Sequence, residues 1–154
     1  MRAVLARDYY PTTGDRSAKA MRHFTLEEAA EALERVRPLA ERMVAERREL
    51  RELHAELEPA RRSVAGNGGG LDATRVQALE AEAREVATRI AASVEELDAI
   101  GVQVKDLDSG LVDFPTRHPE RGETVLLCWR VGEDEIGFWH GVDEGFAGRK
   151  PLPF

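Results

Sequence analysis

The sequence predicts an α+β fold: a long antiparallel helical hairpin of coiled-coil type, followed by a small antiparallel sheet of about four strands. Three observations lead there. Apolar residues recur at heptad spacing through two stretches, one from Thr25 towards Pro59 and one from Asp72 to Ile100. A glycine-rich turn, residues 65–70, lies between them. Past Gly101 the helical period gives way to strand-like alternation. A chain of 154 residues is normally one domain with its own core. The expected division is an N-terminal arm, 1–22, and a single domain, 23–154, with the hairpin at 25–100 and the sheet and C-terminal loop at 101–154.

The arm shows no sustained periodicity. Pro11, Gly14 and scattered charges read as a loose extension, mildly basic through Arg2, Arg7, Arg16 and Lys19 against Asp8 and Asp15. Tyr9 and Tyr10 would be its means of docking on a partner. The first helix opens on a capping box, with Thr25 as N-cap and Glu28 three residues on. Glu27 and Glu28 also suit the positive end of the helix dipole. Leu26, Leu33 and Ala40 form one apolar row; Ala29, Val36, Met43, Leu50 and Leu57 form the other. Pro38 removes a backbone donor and is expected to kink or split the helix near Arg37, and the helix is expected to end near Pro59. The glycine turn that follows is no phosphate-binding loop, because the lysine and Ser/Thr are missing and no strand precedes it.

Asp72 is the expected N-cap of the second helix. Its rows are Val76, Ala83, Ile90 and Leu97, and Leu79, Val86, Ser93 and Ile100. Gly101 stands where a left-handed C-terminal cap is wanted. At about 1.5 Å per residue each arm of the hairpin is roughly 45 Å long. Two helices alone do not cover so long a stripe, which Leu39, Leu53 and Val94 widen. A homo-oligomer (a dimer first) or a partner helix is therefore expected, with the outlying charges as a solvated face.

Val102-Gln103-Val104-Lys105 alternates as a first strand, and Asp108-Ser109-Gly110 turns it. Leu111-Val112-Asp113-Phe114 is a second strand, ended by Pro115. Residues 124–131 form the strongest strand, and 135–140 return antiparallel to it. With Glu133-Asp134 as a two-residue loop, Leu127, Trp129 and Val131 would face His140, Phe138 and Ile136. Residues 141–149 read as a loop, and Pro151 and Pro153 as a stop to further structure.

Several stretches resemble one bacterial family, DUF2203. They are Arg22-His23-Phe24-Thr25-Leu26-Glu27-Glu28-Ala29, Gly101-Val102-Gln103-Val104-Lys105-Asp106, Gly110-Leu111-Val112-Asp113-Phe114-Pro115, Val125-Leu126-Leu127-Cys128-Trp129-Arg130, Trp139-His140 and Gly145-Phe146-Ala147-Gly148-Arg149. The resemblance runs from Met21 to Leu152 and leaves out the arm. It implies a soluble bacterial protein with helices first and a sheet last, and brings no established activity, cofactor or catalytic residue.

Charge and composition narrow the partners. A net charge of −7 and a pI near 5.2 argue against nucleic acid and against an anionic membrane surface. No apolar run reaches the roughly 20 residues that span a bilayer. A single cysteine, Cys128, excludes an internal disulfide and fits a reducing cytoplasm. No cofactor is implied.

Candidate chemistry gathers in the last third, which holds both tryptophans, Cys128, and His140 close to two acids. His140 with Asp143 and Glu144 is a candidate for a divalent metal or for acid–base work, provided the Gly141 loop folds tightly. Asp113, Arg130, His140 and Arg149 make a candidate anion or small-molecule site beside a glycine-rich loop. Asp106-Leu107-Asp108-Ser109-Gly110 opens like a calcium loop, but the glycine falls at position five and Arg117 stands where the glutamate belongs. Cys128 in an apolar strand reads as a small buried hydrophobe; as a nucleophile it would need a base, for which His140 across the hairpin is the candidate. Two function classes follow. One is a non-enzymatic interaction or self-associating scaffold acting through the hairpin. The other is a metal- or small-molecule-binding protein, or an enzyme, with its site at the C-terminal sheet.

Overall fold

The computed structural model describes residues 21–67 and 70–154, so the expected arm up to residue 20 and the middle of the expected glycine turn, residues 68–69, lie outside the described residues. Helix α1 is Leu26–Asn67 and helix α2 is Gly70–Ile100. Five strands follow: β1 Gln103–Asp106, β2 Leu111–Arg117, β3 Thr124–Arg130, β4 Phe138–Gly141 and β5 Lys150–Pro151. They form one antiparallel sheet in chain order.

The expected capping box closes α1 at its start. Glu28 N–H donates to Thr25 Oγ1 at 3.1 Å, and Thr25 N–H donates to Glu28 Oε2 at 2.8 Å. Neither proline breaks the helix: α1 runs through Pro38 and Pro59 to Asn67. Both prolines are exposed, so the carbonyls deprived of a donor can turn to water while the opposite face stays packed. That face carries Ala29, Val36, Ala40 and Met43, all fully buried. Their packing overrides the local preference.

The hairpin is antiparallel, as paired charges show: Arg42 reaches Glu96, Arg89 reaches Glu46 and Glu49, and Arg61 reaches Glu80. Gly101 ends α2 at φ 106°. Val102 N–H donates to Leu97 O, and Gly101 N–H to Asp98 O, the two bonds of a Schellman motif. Arg22 is already part of the domain, donating to Ile100 O at 3.0 Å and lying over the Phe24 ring.

The sheet differs from expectation in three ways. Strand β2 continues through Pro115 to Arg117. A fifth strand, Lys150–Pro151, pairs with β4. The β3–β4 register is one residue away from that of a two-residue loop, pairing Leu127 with Trp139 and Leu126 with His140. Residues at one parity (Val112, Phe114, Val125, Leu127, Trp129 and Trp139) join the helices in the main core. The opposite face would ordinarily meet water, yet Leu111, Asp113, Leu126, Cys128 and His140 on it are also buried. The C-terminal loop helps to cover it, through a short 3-10 turn at Phe146–Gly148 and through Arg149, which packs on Phe138.

Candidate functional site

The covered face of the sheet holds the chemistry. Register places Gln103, Asp113, Cys128 and Phe138 in one row across β1 to β4. His140 lies two residues beyond Phe138 on the same face, diagonal to Cys128. Asp113 is 1% exposed, Cys128 0% and His140 2%. One donor atom from each lies within 4.8 Å of the others.

Hydrogen bonding locates one proton of the histidine. Nδ1 of His140 lies 2.8 Å from Gly141 O. A carbonyl only accepts, so Nδ1 carries the proton. Nε2 points at Asp113, whose Oδ1 and Oδ2 each stand 3.3 Å away. A proton or a metal cation held between Nε2 and the carboxylate would satisfy both in this buried site. The 3.3 Å spacing is long for a charge-assisted hydrogen bond and close to that of two ligands on one ion. A charge-assisted N–H···O bond is about 2.7–2.9 Å long, whereas neighbouring ligands on a tetrahedral zinc are about 3.4 Å apart. Asp113 Oδ2, although buried and within ion-pair range of His140 and Lys105, accepts no hydrogen bond.

Burial acts on the two acids of the cluster. Burial pushes the Asp113 carboxyl above its ordinary value, against the opposing pull of His140 and Lys105. Burial, with the Asp113 charge, pushes the Cys128 thiol up to about 12. Without an ion, Cys128 is therefore a protonated thiol, not a nucleophile. With an ion it becomes a ligand by losing that proton. The donor set of one thiolate, one imidazole and one carboxylate suits zinc and its borderline-soft neighbours, not calcium or magnesium. The bond from His140 to Gly141 O is the outer-shell contact that metal-bound histidines usually make.

Of the sequence candidates, Asp113 and His140 come together. Arg149 is close by: its Nη2 bonds Glu133 at 2.8 Å and donates to Cys128 O at 3.4 Å, its guanidinium stacks on Phe138 and Phe146, and its buried Nε has no hydrogen-bond partner among the described residues. Arg130 is exposed at the end of β3, over Phe146. Asp143 is exposed, while Glu144 receives Gly141 N–H at 2.7 Å and pairs with Lys150. Among the described residues neither acid joins the donor group around His140. The acidic turn caps itself: Asp106 accepts from both the N–H and the hydroxyl of Ser109, and Asp108 pairs with Arg47 and Arg51. Two open grooves, of about 410 and 360 Å³, lie by the start of α1 and contain none of these candidates. The sequence reading missed Cys128 as a ligand. Its signal was present, because Asp113 and Cys128 pair across adjacent strands, but only the register reveals it.

A family model described as an uncharacterised conserved protein, DUF2203, matches residues 22–152. The chain belongs to that family. Asp113, Cys128 and His140 all lie inside the stretch that matches DUF2203. No curated protein and no solved structure matches the chain. Among the described residues no helix is long and apolar enough to cross a membrane.

Proposed function

We propose that this DUF2203 protein binds a divalent metal of the zinc class through Asp113, Cys128 and His140. One observation carries the reading: three buried donors of different type converge within 4.8 Å, and the histidine has already given its other nitrogen to a backbone carbonyl. A purely structural cluster has little reason to bury a carboxylate whose Oδ2 accepts no hydrogen bond. The thiol ligand suits a reducing compartment such as the cytoplasm.

The scaffold reading has less support. Exposed large apolar side chains among the described residues are Met21, Leu26, Phe138, Val142 and Phe146, and none lies on the hairpin beyond the first residue of α1. The apolar rows are spent on each other and on the sheet. Self-association through the hairpin would have to rest on charged surface, and sedimentation would detect it.

The test is cobalt(II) titration of the chelator-treated protein, together with elemental analysis of protein purified without chelator. One equivalent of metal and a thiolate-to-cobalt band in the near ultraviolet are expected, with the band lost in Cys128→Ser. Protein that retains no metal and shows no band with excess cobalt would sink the proposal.

A further inference from the structure

We propose that the metal keeps one coordination position for a small anion, admitted at the β1 edge of the sheet and held there by Lys105. The inference rests on the metal reading above. Only three donors converge among the described residues, and a tetrahedral ion wants four. The donor row is closed on one side by Phe138 and Arg149, which stack at 4.2 Å. On its other side it ends at β1, the edge strand. There Lys105 places its Nζ 3.9 Å from Asp113 Oδ2 while its side chain stays 38% exposed. Gln103 Oε1 accepts one of the ammonium donors at 2.8 Å, which leaves others to turn towards the site.

Charge states what the position would hold. The Asp113 carboxylate and the Cys128 thiolate neutralise a divalent ion, and the imidazole adds nothing. Lys105 then leaves one positive charge beside a dry, neutral complex, and a single anion balances it. Hydroxide, a carboxylate or a comparable monoanion fits. A metal with an exchangeable anion next to a lysine is arranged to polarise bound water or a bound acid group. A metal closed by protein on every side has no such capacity.

The probe is azide, titrated into the full-length protein loaded with cobalt(II). The visible ligand-field bands should shift saturably, and the thiolate band should persist. Lys105→Ala and Lys105→Gln should weaken azide binding by about tenfold or more, and Lys105→Arg should retain most of it. Both neutral variants change an exposed edge position, and an unchanged thiolate band shows that their site is intact. Bands that saturating azide does not move overturn the proposal while leaving the metal reading standing. So does azide binding of equal strength in wild type and Lys105→Ala. Absence of the thiolate band in the wild type overturns the metal reading itself, and this inference with it.

Discussion

Replacing Asp113 by asparagine should make the metal-free protein more stable and the metal-bound protein less so. The carboxylate is 1% exposed, and burial raises its pKa above the unfolded value. For an acid whose pKa is raised on folding, the contribution to stability is fully present below the unfolded pKa. It is lost as pH rises through the folded pKa. Near neutral pH the wild type therefore carries the cost of an ionised, dry carboxylate, about 1.4 kcal/mol for each tenfold weakening of the acid on folding. An amide of the same shape removes that cost, and its N–H₂ can donate to Nε2 of a neutral His140. The expected gain without metal is about 1–2 kcal/mol, or roughly 2–8 °C in midpoint for a chain of this size. With metal the order reverses, because the ion binds the folded wild type and lifts it by RT ln(1 + [L]/Kd). Thermal unfolding of both proteins, in chelator and in excess zinc at about pH 7.5, reads the crossing. A variant that loses about 1 kcal/mol or more in chelator, with no zinc response in the wild type, would refute the reasoning. Asp113 would then be a structural partner of His140 and Lys105.

Three further outcomes follow from the same geometry. Metal affinity should rise with pH, by about tenfold per unit for each proton displaced, because Cys128 is held as a thiol up to about pH 12; calorimetry in buffers of different ionisation enthalpy counts the protons. Gly110→Ala should cost about 2–4 kcal/mol in denaturant unfolding, since a Cβ there, at φ 66°, would stand 2.4 Å from Val131 Cγ2 and 2.8 Å from Val44 Cγ2. Pro38→Ala should stabilise the protein by about 1–3 kcal/mol, because the position is exposed and the helix already continues through it; an unchanged midpoint would mean that α1 has fully adapted to the missing donor.

The hairpin was legible because its signals are local. The capping box, the heptad rows and the Gly101 cap each depend on neighbours a few residues away. The prolines misled for the same reason: their local cost is real, but packing of Val36 and Met43, against residues far along the chain, decides the matter. Two of the three donors were legible too. Asp113 and His140 stood out as polar groups among apolar strands, while Asp143 and Glu144 drew attention only by lying next to His140 in the chain.

What the chain pattern did not contain was the register of one hairpin. With a two-residue loop, His140 would pair with Leu127 and point into the main core, away from Cys128 and Asp113. The observed pairing is shifted by one residue, which turns His140 to the covered face and completes the donor set. The shift has identifiable causes. Arg130 N–H donates to Glu133 Oε2, Glu133 N–H donates to Arg130 O, and Gly132 takes φ 99°, so the chain turns before Glu133-Asp134. Trp129 Nε1 then donates to Glu133 O. Arg37, 96 residues earlier on α1, grips Glu133 O at 3.0 Å and Asp134 O at 2.6 Å. A helix residue thus braces the loop whose register brings the three donors together, and no window along the sequence spans that contact. The continuous α1 through Pro38 acquires a role in this light. A helix broken near Arg37 would lose the fixed point that braces the loop.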